Sequence, residues 1–450
     1  MIALLSAAAL AAAVPSGLAQ GETLRPFFAR LAHAGTRPVH ILQIGDSHTA
    51  GDAISGAWRD VLQQKYGSAG RGVLAPGRPY DGYITHGVTV TMSAGWKISS
   101  DFGATWSMPS PPLGLSAFTL TSQSEGATMA LTADPNEAFD RLVVCGIMQH
   151  GAGRLAIQAG TEAATFDLNS PTGRPECRTV RLSRPATNAD LTVSGGPVTL
   201  TSWATFNDRG GVALSNLGVV GSQLVHWART DDAVLSEELA AYRPDLIVLA
   251  FGTNEGFAPR VNDFEYEATL RTQIGRIRRL AGNVPILMLG APDALSRRSE
   301  VRANTTSGEA SPDCGAPQAL PPSPQPSTFE TIVNRLRNSI GMAPSDEGTQ
   351  GQPAQTAASP PPPAATGTTK GPLFPPAGLK LVRDVQRRVA RQLNVAFWDW
   401  EARLGGRCYA DAWVHANPPL MRADYVHYTL AGGKEVAQRL EADLEQAMAR

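Results

Sequence analysis

The chain has 450 residues, and its 39 Lys and Arg are balanced by 40 Asp and Glu. That near-neutral balance offers no basic face for a polyanion, so the sequence argues against a nucleic-acid partner. The length suffices for a large core and predicts two domains with linkers. Beyond the first residues, no apolar run approaches the length needed to span a bilayer.

Met1 to Val14 is almost wholly apolar, and Ser16-Gly17-Leu18-Ala19-Gln20 supplies the small residues a signal peptidase cuts after. Residues 1–19 therefore read as an export leader, although no Lys or Arg precedes the apolar run. Shifts in composition divide the rest. Segments 20–85, 211–295 and 378–450 read as three pieces of one α/β domain, 86–210 as an inserted β-sandwich, and 296–377 as a Pro-rich, largely disordered insertion.

In the first piece, a mostly apolar run from Val39 to Ile44 breaks at Gly45-Asp46-Ser47, after which Ile54, Trp58 and Val61 recur at helical spacing. Ser47 thus falls on a strand-to-helix turn, where open α/β sheets present groups to ligands. A serine there also serves as a plain helix cap. Residues 67–85, rich in Gly, Pro and Tyr, read as a surface loop beside that serine.

From 86 to 210 the periodicity becomes two. Val88–Thr91, Phe118–Thr121, Leu142–Val144, Leu155–Ile157, Val180–Leu182, Leu191–Val193 and Val198–Leu200 are short alternating runs between Gly, Pro and Asn breaks, the pattern of a β-sandwich. Trp96, Trp106 and Trp203 are candidates for stacking on sugar rings or, more simply, for core packing.

Strand and helix alternate again after 210. Val212–Val220 reads as a strand, Asp232–Tyr242 as a helix and Asp245–Phe251 as a buried strand. A helix follows with Tyr266, Leu270, Ile274, Ile277 and Leu280 on one face, and then the strand Val284–Gly290. Single helices between strands predict a parallel, doubly wound sheet. Inside the Pro-rich segment, Phe329, Ile332, Val333, Leu336 and Ile340 have helical spacing. The fold resumes with a helical stripe from Leu379 to Leu393, the strand Val395–Trp400, a loop over Leu420–Tyr428, and a final helix capped by Thr429.

Cys145, Cys177, Cys314 and Cys408 allow three pairings. Cys145 with Cys177 and Cys314 with Cys408 are favoured, in an oxidising compartment. No Cys or His spacing suits a metal, and neither metal nor cofactor is expected.

Asp424-Tyr425-Val426-His427 follows the last strand, so on a parallel sheet it returns to the edge that carries Ser47. A serine hydroxyl needs such a base, and the base needs a carboxylate to orient it, before it attacks a carbonyl. Gly221 and Asn254 end successive strands, where an N–H and an amide could stabilise the resulting oxyanion; a simple turn and a helix cap are the plainer roles.

Gly45-Asp46-Ser47, Gly221, Gly252-x-Asn254 and Asp424-x-x-His427, in that order, resemble the four blocks of the SGNH (GDSL-like) hydrolases. The resemblance implies a flavodoxin-like three-layer α/β/α fold, with Ser47 as nucleophile and Asp424 and His427 completing the triad. It also implies an oxyanion hole formed by Ser47, Gly221 and Asn254. Glu255 departs from the usual Asp. Residues 45–52, 218–224, 251–255 and 397–400, with a sandwich between the first two blocks, are similar to the peptidoglycan O-acetylesterases of Gram-negative bacteria. That similarity implies an exported, periplasmic serine esterase acting on an acetylated glycan, with a carbohydrate-binding module at 86–210. A glycan O-acetyltransferase with the same triad, a secreted lipase or arylesterase and a non-catalytic glycan-binding protein are the alternatives. No feature sets an oligomeric state.

Overall fold

The computed structural model describes residues 17–108, 110–304, 306–316, 319–323 and 371–450. Val39–Gly45 is buried along its whole length, as a run apolar on both faces must be, and it lies inside a six-stranded sheet. The order across that sheet is Leu18–Ala19, Ala396–Trp398, Ile286–Leu289, Leu246–Ala250, Val39–Gly45 and Val212–Gly218. All neighbours are parallel except the edge strand Leu18–Ala19, which runs antiparallel to Ala396–Trp398.

Counted along the chain, the five parallel strands stand in the order second, first, third, fourth, fifth. The order reverses between Val39–Gly45 and Leu246–Ala250, which opens a crevice at their carboxyl ends. Alternate side chains of these strands feed two separate apolar clusters. Val39, Ile41 and Val248 pack with Phe27, Trp58 and Leu440. Leu42, Ile44 and Leu249 pack with Leu235, Ile274 and Val385 from helices Asp232–Tyr242, Asp263–Ala281 and Ala377–Leu393.

Between the first two parallel strands the chain builds two antiparallel sheets. One has the order Glu162–Asp167, Arg154–Ala159, Asn188–Ser194, Thr128–Ala133, Val88–Met92; the other has Arg174–Ala186, Phe139–Met148, Val198–Phe206, Phe118–Ser122, Trp96–Ser100, with Gly72–Leu74 paired to Val198–Phe206. Trp96 and Trp203 are core residues here, whereas Trp106 is 39% exposed. Cys145 and Cys177 face each other on adjacent strands and are bonded, and a second disulfide joins Cys314 to Cys408. Among the described residues, no helix is long and apolar enough to cross a membrane.

Three readings need correction. Residues 69–77 are not a surface loop but are buried. Arg71 lies wholly inside, bonded to Asp52 and Asn216, so an internal counter-charge rather than solvent accommodates this Gly-rich stretch. The flanks of the Pro-rich segment are also folded. Ser296 bridges Phe374, Val301 and Phe374 are buried, and Cys314 is tied to Cys408. Finally, the last strand stops at Trp398, because Asp399 caps a new helix, Trp400–Leu404, through Ala402 N–H.

The expected helix at Phe329–Ile340 and residues 1–16 lie outside the described residues. Of the expected leader, Gly17 to Ala19 are built into the structure. Gly17 N–H donates to Asp443 and its carbonyl accepts from Asp399 N–H, while Leu18 and Ala19 pair with Trp398 and Phe397.

Candidate active site

The carboxyl ends of the central strands approach so closely that side chains are excluded there. A Cβ on Gly45 would meet Thr49 Oγ1 at 2.3 Å and the Ala250 carbonyl at 2.5 Å, and one on Gly218 would meet Ala50 N at 2.2 Å. This packing brings the turns after Val39–Gly45, Val212–Gly218 and Leu246–Ala250 together: Val219 N–H donates to Gly45 O and Asp46 N–H to Ala250 O. Asp46 caps the short helix Ser47–Ala50 by accepting from His48 N–H. Ser47 is therefore the first helical residue and not the cap, which leaves its hydroxyl free for another partner.

That partner is His427. Its Nε2 lies 2.9 Å from Ser47 Oγ, and its Nδ1 lies 2.9 Å from Asp424 Oδ2. An ionised carboxylate only accepts, so Nδ1 carries the proton and the lone pair of Nε2 faces the serine O–H. The other Asp424 oxygen accepts from the N–H groups of Val426 and His427, a one-turn clamp made possible by Tyr425 at φ 60°. Partial burial pushes the Asp424 carboxyl upward. The hydrogen bonds from the His427 ring and from the two N–H groups outweigh it and hold the group at about 2.

Asn254 stands on the turn Thr253–Gly256 and donates one Nδ2–H to Ser222 O at 2.9 Å, which leaves its second amide hydrogen uncommitted by that bond. Gly221 has φ 79°, and a Cβ there would press on Phe102 at 2.8 Å. The structure thus joins Ser47, His427 and Asp424 in one hydrogen-bonded chain, and ties Asn254 to the residue after Gly221.

The sequence profile of the GDSL-like lipase/acylhydrolase family matches residues 189–434, more than half of the chain, including Gly221, Asn254, Asp424 and His427. The chain belongs to that family. It is an SGNH-type hydrolase, an enzyme of the esterase and acylhydrolase class. No curated protein matches it. Among solved structures, a peptidoglycan O-acetylesterase shares its fold from end to end: TM-score 0.67 at 21% identity, over 96% of this chain and 99% of the other. A putative GDSL-like lipase from Parabacteroides merdae matches with TM-score 0.28 at 14% identity, over 52% of this chain and 73% of the other.

In this GDSL-like hydrolase, Glu255 departs from the family's usual Asp in a legible way. Its Oε1 accepts from Leu224 N–H at 2.8 Å, so it reaches across to the helix Leu224–Trp227 behind Gly221. Gln223 Nε2 adds a bond to Asn254 O. The second and third sequence blocks are therefore cross-linked three times, by Asn254, Glu255 and Gln223.

Three contributing residues were not visible in the sequence. Phe102, from the antiparallel region, lies against Gly221 and stacks on His226 at 4.4 Å. Asp101 accepts from Ser222 Oγ at 3.1 Å, while its Oδ1 has no partner among the described residues. His48 is the third. Phe102 and Asp101 carry no sequence signal, and although His48 sits in the 45–52 block, all three act through contacts with distant parts of the chain that no local pattern shows.

Burial drives the Asp101 carboxyl up to about 7, against the hydrogen bond from Ser222 and the charge of Arg229. Between the ordinary carboxylate value and about 7, the folded chain holds a proton that the unfolded chain has released, so this group makes stability fall as pH rises through that window. Asp101→Asn is expected to leave Tm at pH 4 nearly unchanged and to raise it at pH 8 by a few degrees, about 4 kcal/mol. Thermal melts across pH check this, and an unchanged slope would refute it. The slope is reduced rather than abolished, because burial also raises Glu255 and Asp293 to about 7.

Proposed function

We propose that this hydrolase is an exported, periplasmic serine esterase that removes O-acetyl groups from a cell-wall glycan, peptidoglycan first, through an acetyl-serine intermediate. The observation that carries the reading is the hydrogen-bonded chain from Ser47 Oγ through His427 to Asp424. His427 takes the serine proton as Oγ attacks the acetyl carbonyl carbon. The backbone N–H groups of Ser47 and Gly221 and the Asn254 amide receive the oxyanion. When the tetrahedral species collapses, the C–O bond to the sugar breaks and His427 returns its proton to the sugar oxygen. Water, deprotonated by the same imidazole, then attacks the acetyl carbon; the bond from that carbon to Ser47 Oγ breaks, His427 returns the proton to Oγ, and acetate leaves.

The end-to-end fold match to a peptidoglycan O-acetylesterase supports the glycan assignment. The strand order supports reading the central sheet as flavodoxin-like, with pieces 20–85, 211–295 and 378–450, and reading the two antiparallel sheets as a sandwich module inserted at 86–210. Phe102 brings an aromatic ring from that module against Gly221, and the nearby exposed Trp106 is covered on one face by Arg229 at 4.1 Å. Two disulfides fit an exported protein. We place the leader's end before Gly17, since Leu18–Ala19 is a strand of the sheet; N-terminal sequencing of the exported chain finding Gln20 first would refute that boundary.

The test is to incubate the full chain with O-acetylated peptidoglycan, with acetylated xylan, and with 4-nitrophenyl esters of increasing chain length. Free acetate from peptidoglycan, with rates falling steeply beyond short acyl chains, is the expected result. Release from long-chain esters alone would make it a lipase. Transfer of acetyl to added glycan in place of acetate release would make it a transferase.

A further inference from the structure

The imidazole next to the nucleophile has an arrangement that the mechanism above does not use. His48 is buried, with a side-chain exposure of 4%. Its Nε2 lies 2.9 Å from the carbonyl oxygen of Val426, the residue before His427. A carbonyl only accepts, so Nε2 carries a hydrogen and donates it. On the other edge of the ring, Nδ1 faces Asp46 Oδ1 at 3.3 Å and Thr253 Oγ1 at 3.4 Å. Burial alone would favour the neutral ring. The hydrogen bond and charge of Asp46, then the Val426 carbonyl, override it and raise the pKa above the ordinary value, in keeping with a donating Nε2.

The loop that holds the triad base is fastened by three consecutive carbonyls. Tyr425 O accepts from Leu295 N–H, Val426 O from the His48 ring, and His427 O from Arg422 N–H. Leu295 lies beyond the fourth parallel strand and Arg422 lies in the loop itself. Only the Val426 bond runs to the turn that carries Ser47. The His48 ring also fills the space behind the base, 5.5 Å from the His427 ring and 5.7 Å from those of Trp400 and Tyr428. Backbone torsions at Ser47 and His48 are coupled by adjacency, so one short side chain sets both the hydroxyl's turn and the position of the loop that must meet it.

We infer that His48 is a positioning residue: by donating Nε2–H to Val426 O, it fixes the distance between Ser47 Oγ and His427 Nε2. The inference rests on the catalytic reading of that pair. Small misplacements of a catalytic group cost up to about a hundredfold in rate without weakening substrate binding. The role therefore belongs in kcat and not in KM.

The experiment compares His48→Gln, His48→Asn and His48→Leu in the full chain on 4-nitrophenyl acetate, with Ser47→Ala alongside. Glutamine sets an N–H where Nε2 stands, whereas asparagine reaches only the Nδ1 position and leucine donates nothing. His48→Gln is expected to keep kcat within about fivefold of the parent. The Asn and Leu variants are expected to fall about ten- to a hundredfold, all with KM within about twofold. A merely structural role would lower Tm in all three and would not separate Gln from Asn. If Gln is no faster than Asn, or if folded His48→Leu keeps kcat within threefold, the inference is overturned. If Leu fails to fold, the Gln and Asn pair decides. Should Ser47→Ala retain activity, the catalytic reading itself falls. Should Ser47→Ala be inactive while the His48 variants match the parent, only the positioning role falls.

Discussion

Replacing Ser47 by Ala is expected to lower kcat on 4-nitrophenyl acetate by about ten-thousandfold or more, with Tm within a few degrees of the parent. The rate loss follows from the chemistry. With no oxygen nucleophile beside His427, what remains is the oxyanion donors acting on bound ester and water, and removing a serine of this kind from other enzymes has cost as much. The stability expectation follows from the cap. Asp46, not Ser47, satisfies the first N–H groups of the helix Ser47–Ala50, so the substitution removes one hydrogen bond and no structural role. A serine-directed phosphonate should label the parent at Ser47 and leave the variant unlabelled. Activity above about one-hundredth of the parent in a folded Ser47→Ala chain would rule out this nucleophile.

The framework of this prediction was legible in the sequence because it depends on local signals. The strand and turn at Val39–Ser47, the helix Asp232–Tyr242 and all seven expected alternating runs between 88 and 200 are found where periodicity put them. The strands that escaped have weak patterns. Thr128–Ala133 alternates correctly between exposed and buried positions, but two of its inward residues are small or flexible, Met129 and Ala133. Glu162–Asp167 is an edge strand with a single buried residue, Phe166, so it shows little hydrophobic period. Leu18–Ala19 fails for the opposite reason, since an apolar pair suits an export leader and a sheet edge equally well.

The site divides in the same way. The hydrogen-bonded chain of Ser47, His427 and Asp424 could be read because each member sits in a short, ordered motif. Asp101 meets Ser222 across 121 positions and His48 meets Val426 across 378, and no spacing rule links such pairs. Residues 69–77 show the cost of reading composition alone. Glycine and proline suggested a loop in solvent, but burial there is made possible by Asp52, which faces both Arg59 and Arg71. Those ion pairs hold the Asp52 carboxyl at about 2 in spite of its burial.

The second large effect is expected at Asn254. Its amide offers two hydrogens; one is held by Ser222 O at 2.9 Å, so the side-chain plane is fixed before substrate arrives, and in the proposed mechanism the other receives the oxyanion. Preset donors of this kind stabilise the transition state more than the ground state, since the charge they meet develops only as the bond forms. Asn254→Ala is therefore expected to lower kcat by about a hundred- to a thousandfold, near 3 to 4 kcal/mol, with KM little changed. Asn254→Asp should be at least as damaging, because a carboxylate of the same shape would face both the Ser222 carbonyl and the developing negative charge. The measurement that separates an oxyanion donor from a simple brace is binding of a boronic acid, which forms a tetrahedral anion on Ser47. If the role is electrostatic, affinity for the boronate should fall in parallel with kcat. A brace acting only through Ser222 would lower Tm and leave the ratio of boronate affinity to kcat free to vary. A fall in kcat of less than tenfold in folded Asn254→Ala would place the oxyanion's stabilisation on the Ser47 and Gly221 N–H groups alone.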